Sequence, residues 1–291
     1  RDYDPERDKE AVGRIWREIG WLEKGKEEVM DLYIGAGRAL VAEVNGEAEC
    51  LVLSAPGRNQ DGTVDLSFAA LTGVGTSRVA RKQGLAKRLT ARLVAADAAE
   101  GALVAGLGMF EQGFYNQIGF GTGGYEHVLD FDPAHLRIKV KARPPVRITT
   151  DDWEMAHAAL LRRKRGHGAC NLLPAELTKA EMLDTKNGFG LGYRDGPDGE
   201  LTHYFWCRAR DVETGPYQMQ WMAFQNGEQF LELMALLKSL GDQVRQVSMR
   251  ERSGLQFQDM LRQPFAQRAR TERGKFESRM RALAYWQMRI C

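Results

Sequence analysis

The chain has 291 residues, 43% hydrophobic and 27% charged, which is the composition of ordinary globular domains and excludes a disordered or low-complexity chain. That length allows about two domains of roughly 150 residues. A net charge of +2 gives no electrostatic reason to expect nucleic acid or an anionic membrane, and no apolar run approaches the roughly 18 residues of a membrane span.

In chain order, Pro5 and Asp8 open a helix whose apolar positions Ala11, Val12, Ile15, Trp16 and Ile19 follow the 3.6-residue period. A second short helix carries Val29, Met30, Tyr33 and Ile34. Ala39–Val44 and Ala48–Ser54 read as strands joined by Asn45-Gly46, the dipeptide of a type I′ hairpin. Ala55–Gly62 reads as a loop and Val64–Val74 as a further strand. Gly84–Glu100 is predicted helical, with Leu85, Leu89, Leu93 and Ala96 on one face, followed by a buried strand over Ala102–Met109. A short helix at Phe110–Gln117 and a strand at Tyr125–Phe131 complete an α/β half. Pro133, Pro144 and Pro145, among basic residues of 132–146, mark a linker or an edge connection.

The second half predicts a strand at Val146–Thr149 and helices at Trp153–Arg163 and Pro174–Thr185. Strands then fall at Gly188–Tyr193, Leu201–Arg208 and Tyr217–Ala223, a helix at Glu228–Leu240 and a strand at Val244–Met249. Both halves thus share a strand–strand–helix–strand order, which suggests a structural repeat. Cys50, Cys170, Cys207 and Cys291 include no CxxC pair and no His at zinc spacing. No metal site is therefore expected, and a cytoplasmic location fits. The cationic runs Arg162-Arg163-Lys164-Arg165 and 268–281 are expected to be solvated, with a nucleic-acid patch as the lesser reading.

The chemistry is concentrated in Val74–Ala86, which joins a strand to a helix. Arg81-x-x-Gly84-x-Ala86 places small residues where a ligand can approach the backbone. The first turn of a helix has unpaired N–H groups and a partial positive charge, so this is a candidate phosphate or pyrophosphate site. Arg78, Arg81, Lys82 and Lys87 are expected to add cationic charge. Neither the G-x-x-x-x-G-K-[ST] loop nor the three-glycine dinucleotide fingerprint is present.

Here the sequence resembles the GCN5-related N-acetyltransferase superfamily, whose R/Q-x-x-G-x-G/A signature binds the coenzyme A pyrophosphate. Arg81, Gly84 and Ala86 match it, although the Pro common in this loop is missing. Phe114-Tyr115-Asn116-Gln117-Ile118-Gly119-Phe120 looks like the FY-x-x-x-GF segment whose tyrosine is the general acid. The arrangement is most similar to the enhanced intracellular survival type, with two acetyltransferase folds and a sterol-carrier-like third domain. The resemblance implies an α/β (α+β) chain of tandem acetyltransferase folds, each a mixed splayed sheet flanked by helices. It implies residues 1–133 as a coenzyme-binding domain, 134–265 as a copy without the motif, and 266–291 as linker and the start of a third domain. At the place of the second loop stands Phe224-Gln225-Asn226-Gly227-Glu228-Gln229, where Glu228 would oppose a phosphate.

By the same resemblance Tyr115 is the catalytic acid. Coenzyme contacts are expected from Gly73, Val74, Gly75, Thr76, Arg81, Lys82, Gln83, Gly84, Leu85, Ala86, Lys87, Phe110 and Glu111. Backbone N–H groups near Val74 would serve the oxyanion, and a C-terminal carboxylate would assist. Acetyl-coenzyme A would be the co-substrate, an amine the acceptor, and the assembly a homo-oligomer, hexameric in the resembled family. Trp16, Trp21, Tyr33 and Phe68 are candidates for the acceptor cleft, and Glu111, Glu126 and His127 weak candidates for a base. A non-catalytic acyl-coenzyme A-binding module remains an alternative. Leu283–Cys291 is expected to open the third domain, with the chain a fragment lacking Met in front and about 100 residues behind.

Overall fold

A computed structural model describes residues 1–109, 113–124, 126–252, 254–262, 268–269, 277–278, 281–283 and 286–291. For 126, 268–269, 277–278, 281–283 and 286–287 it describes the backbone alone. The elements in chain order are α1 (Pro5–Glu18), α2 (Glu27–Gly35), β1 (Arg38–Val44), β2 (Glu47–Asp61), β3 (Val64–Thr76), α3 (Leu85–Ala99), β4 (Val104–Gly108), β5 (Gly121–Thr122) and β6 (Glu126–Phe131). They continue with β7 (Val146–Ile148), α4 (Trp153–Arg162), β8 (Cys170–Leu172), α5 (Ala175–Asp184), β9 (Gly188–Tyr193), β10 (His203–Ala209), β11 (Tyr217–Ala223), α6 (Gly227–Ser239) and β12 (Val247–Arg250). The last are β13 (Arg268–Ala269), β14 (Glu277–Ser278), β15 (Arg281–Leu283) and β16 (Trp286–Ile290).

Two compact units result. The first comprises Arg1–Gly124, His167–Asp184 and Ala284–Cys291. Asp4 caps α1 by accepting from the Glu6 amide, and Pro5 supplies the preset φ of a first helical residue. Val12, Ile15 and Trp16 bury that helix's apolar stripe. Asn45 and Gly46, at φ 53° and 89°, turn β1 into β2 as the sequence predicts. The sheet order is β1-β2-β3-β4-β16-β5, with β8 on β2. One face carries α1 and α2 over Leu51 and Leu53; the other carries α3 over Val52, Leu71 and Leu107.

Three expectations about this unit change. Ala55–Gly62 is no loop: β2 runs to Asp61, because β3 pairs it throughout and β8 adds to it at 57–59. Residues 167–184, assigned to the second half, belong here; Lys26–Asp184 and Lys179–Glu28 ion pairs, 2.8 and 2.7 Å, tie α5 to α2. β16 opens no separate sheet. It runs antiparallel beside β4, Trp286 opposite Gly108 and Ile290 opposite Val104.

The second unit comprises Tyr125–Gly166 and Thr185–Leu283, with sheet order β15-β6-β12-β11-β10-β9-β7. The predicted last strand of the first half, β6, is therefore a strand of the second sheet. It pairs with β12, and Phe131 is buried in this unit's core. An alternating pattern marks a strand but does not say which sheet receives it. α6 lays Phe230, Leu233, Met234 and Leu237 on that core. The Thr149 side chain and Asp152 form a capping box before α4. Arg163 and Arg165 are half-buried rather than solvated.

Candidate active site

In the first unit β3 and β4 run parallel only from Phe68–Val104 to Leu71–Leu107. Beyond Leu71, β3 continues to Thr76 on β2 alone. One edge of β3 thus stands open over Thr72–Thr76, in the splayed arrangement that the family resemblance implies. The chain leaves β3 through Ser77, whose N–H donates to the Glu49 carbonyl at 2.9 Å. A 3-10 turn, Arg78–Ala80, follows. Lys82 and Gly84 then take left-handed backbone angles, φ 63° and 74°. Gly84 adopts this without cost, whereas Lys82 stores about 1 kcal/mol or more of strain, as residues beside functional sites do.

Helix α3 begins on Gly84, and its first helical bond runs from the Arg88 amide to the Gly84 carbonyl at 3.1 Å. The amides of Leu85, Ala86 and Lys87 lie before that bond and have no acceptor within the helix. No side chain caps this end, and its first turn contains no acid. Arg81, Lys82, Lys87 and Arg88 are exposed around it. Among the described residues none of them forms an ion pair; Lys87 Nζ donates to Gln117 Oε1 at 3.4 Å. Gln83 is also exposed. Unpaired amides, the positive end of a helix and exposed cations outside any ion pair make a site suited to a polyvalent anion. Arg78 is not part of it. Its amide donates to Glu18 Oε2 at 2.7 Å, and its guanidinium donates to the Glu18 carbonyl.

The glycines divide by role. A Cβ on Gly84 would meet nothing within 4 Å, so glycine is needed there for its φ. A Cβ on Gly73 or Gly75 would lie 3.1 Å from Leu53 Cδ1 or 3.0 Å from Ile19 Cδ1. These two glycines let neighbouring side chains pack close to β3, while Val74 faces the α3 side of the sheet. Phe110 and Glu111 lie outside the described residues.

Tyr115 opens the 3-10 turn Tyr115–Ile118 after β4. Asn116 Nδ2 donates to the Phe120 carbonyl at 2.9 Å and Gly119 supplies φ 88°, which closes the turn. The Tyr115 ring is buried against Phe114 and Phe120, at centroid separations of 4.9 and 5.9 Å, in the same core cluster as Leu85 and Met109. Burial pushes its hydroxyl up to about 12. On the opposite face Trp16 stacks edge-on to Trp21 at 5.7 Å and lies 6.0 Å from Tyr33, whose hydroxyl bonds Glu181. Phe68 lies apart from this aromatic group, packed at Gly57.

Of the base candidates, Glu111 lies outside the described residues. Glu126 and His127 belong to β6 and the second unit, where His127 faces Glu251 at 3.1 Å. The Cys291 amide donates to the Leu103 carbonyl, at the end of β4 away from the opening.

The second unit repeats the layout with different contents. β11 and β12 pair only at Tyr217–Val247 and Gln218–Ser248, then part. Arg252 fills the opened edge: it donates to the Met222 carbonyl and lies 4.9 Å over the Phe224 ring. Burial and the nearby Arg163 bring its guanidinium down to about 10. At the start of α6, Asn226 Oδ1 accepts from the Gln229 amide at 3.0 Å, and Gln229 Oε1 accepts from the Gln225 amide at 2.7 Å. The 3-10 turn after β12 opens on Phe257. Elsewhere in this unit Asp195, His203 and Glu232 gather like metal ligands, but Arg143 already bonds both carboxylates at 2.7 Å.

No protein-family model matches the sequence, and no curated protein does. Solved structures match its fold along the whole chain. A probable N-acyltransferase from Enterococcus faecalis V583 is 16% identical, with TM-score 0.77, over 100% of this chain and 72% of that one. A GCN5-related N-acetyltransferase from Kribbella flavida is 17% identical, with TM-score 0.71, over 100% and 70%. Eis1 from Mycobacterium abscessus is 17% identical, with TM-score 0.73, over 97% and 70%. The fold of this chain is therefore the tandem GCN5-related acetyltransferase fold. Among the described residues no helix is long and apolar enough to cross a membrane.

Proposed function

We propose that this chain is an acetyl-coenzyme A-dependent N-acetyltransferase whose first unit carries the active site. The observation that carries this reading is the start of α3: open amides, no acid and exposed cations, beside a strand edge that has lost its partner. The amides of Leu85, Ala86 and Lys87 hold the pyrophosphate, and Arg81 and Lys82 add charge. The open edge of β3 over Gly73–Thr76 offers backbone groups to the amide-bearing arm. When bound, the coenzyme supplies an acyl group activated as a thioester.

The chain's own groups do the rest. Tyr115, held protonated by burial, donates to the departing sulfur. The reaction releases a thiol with a pKa of about 8.5, so a donor beside it lowers the barrier at neutral pH. The acceptor amine must arrive neutral, and its proton leaves through water in this scheme. The Trp16–Trp21–Tyr33 group flanks the face from which an acceptor would enter.

Calorimetric titration with acetyl-coenzyme A, followed by thiol release with polyamines, aminoglycosides and lysine peptides, tests the proposal. One site per chain and turnover of an amine are expected. Binding without turnover of any amine would turn the reading to an acyl-coenzyme A-binding module. Absence of binding would end both.

A further inference from the structure

The end of α1 meets the start of the loop between β3 and α3. Gly75 lets Ile19 Cδ1 come within 3.0 Å of the place where a Cβ would stand, which brings the last turn of α1 against the end of β3. Just beyond, Glu18 and Arg78 hold each other. The Arg78 amide donates to Glu18 Oε2 at 2.7 Å, and the Arg78 guanidinium donates to the Glu18 carbonyl at 3.1 Å. That carbonyl belongs to the last turn of a helix, where acceptors lack partners within the helix and a cation is favoured. Arg14, one turn earlier, lies 3.9 Å from Glu18 Oε1 and donates to both Glu49 oxygens, at 3.3 and 3.1 Å. The Glu49 carbonyl in turn accepts from the Ser77 amide at 2.9 Å. Two successive amides of the loop, those of Ser77 and Arg78, are thus fixed to β2 and α1.

We propose that Glu18 is a positioning residue for the coenzyme: its carboxylate fastens the β3–α3 loop to α1 and so presents the first turn of α3 to the pyrophosphate. This rests on the acyl-coenzyme A reading above. The loop turns on a 3.3 Å bond from the Ala80 amide to the Ser77 carbonyl and buries the Ala80 methyl. Beyond it Arg81, Lys82 and Gln83 are exposed, and Lys82 and Gly84 hold left-handed angles. Such a segment samples many arrangements unless its start is held. Affinity falls with the fraction of time that the loop spends in the arrangement the ligand needs. A bond from a backbone amide to a carboxylate is among the stronger ones that could hold it. Glu18 touches no reacting atom in this assignment. Its negative charge would oppose the phosphates, so its contribution is the hydrogen bond and not the charge.

The test compares two neutral replacements. Glu18→Gln keeps an oxygen that can accept from the Arg78 amide, whereas Glu18→Met has nearly the same length and helix preference but offers only a weak sulfur acceptor. Both remove the charge, so the comparison isolates the bond. In calorimetric titrations Glu18→Met should bind acetyl-coenzyme A and free coenzyme A each about 5- to 10-fold more weakly than Glu18→Gln, the worth of one hydrogen bond. The factor should persist at about 1 M salt, which screens charge and leaves geometry. With an amine that the wild type acetylates, Glu18→Met should raise the KM for acetyl-coenzyme A by the same factor and leave kcat at saturation unchanged. A merely structural residue would lower the melting temperature and leave the affinity of the folded chain alone. Equal affinities in the two variants, or a loss confined to acetyl-coenzyme A, overturns the assignment. If Glu18→Met does not fold, Glu18→Ala takes its place against Glu18→Gln. If the wild type binds neither ligand, the coenzyme reading has failed at its own level, and Glu18 has nothing to position.

Discussion

Helix α3 begins on Gly84, in a left-handed conformation, and leaves the amides of its first turn to whatever ligand arrives. Helix α6 begins on Asn226, in extended conformation; Asn226 takes the Gln229 amide, and Gln229 Oε1 takes the Gln225 amide just before the helix. The strands behind them differ in the same sense. β3 continues past Leu71 without β4 beside it, whereas the parted edge of β11 meets Arg252. The turns after β4 and β12 begin on Tyr115 and Phe257. One architecture can thus leave the start of its helix open or close it with its own side chain. The choice rests on a few residues at strand and helix ends, not on the core.

Converting the first unit into the second, one feature at a time, should expose these differences. Tyr115→Phe, which copies Phe257, should lower kcat about 10²- to 10⁴-fold and leave coenzyme affinity unchanged. A steady-state comparison at saturating acetyl-coenzyme A checks it, and full activity would remove the tyrosine from the chemistry. Gly84→Asp should weaken acetyl-coenzyme A about 100-fold. The new carboxylate would take the amides as Asn226 does and repel the phosphates, while circular dichroism shows the helix retained. Arg81→Ala should cost about tenfold in affinity at low ionic strength and less at 1 M salt, where an exposed cation is screened.

The alkaline limb of stability isolates Tyr115 again. Its hydroxyl is raised to about 12 in the folded chain, against about 10 when unfolded. Between those values the unfolded chain releases the proton first, so stability should fall as pH rises from 10 to 12. Tyr115→Phe should flatten that slope in urea titrations. The smallest effect belongs to the second unit. Asn226→Ala should lower its stability by about 1 kcal/mol and leave coenzyme stoichiometry unchanged. A second coenzyme site in that variant would show that the cap alone closes α6.

Much of this was legible in the residues. The Asn45-Gly46 hairpin, the α3 and α6 stripes and the Arg81–Ala86 loop follow from local periodicity and turn chemistry. Glu228 drew attention to the α6 start, and there the Asn226 side chain takes the Gln229 amide. Gly73 and Gly75 were singled out as ligand contacts, and the structure adds a packing reason for them, room for Leu53 and Ile19. What could not be read was pairing at long range. Nothing local tells β6 to join β12, α5 to join α2, or β16 to join β4, because each choice is made by a surface distant in sequence. The bulge at Thr72 was invisible for a related reason. A bulge is a relation between two strands and has no signature in one.

The seat of β16 has a consequence for how the molecule comes into being. Its partner β4 ends at Gly108, and the bonds between them begin at Trp286. On a ribosome, the sheet that bears the candidate site would have its β4 edge exposed while the intervening residues are made. At about 5–20 residues per second that wait lasts roughly ten seconds or more. An unpaired edge of this kind is an invitation to other chains. A chaperone that shields it, or a slow codon placed after the second unit, would change the yield of active protein without altering a single contact in the finished structure.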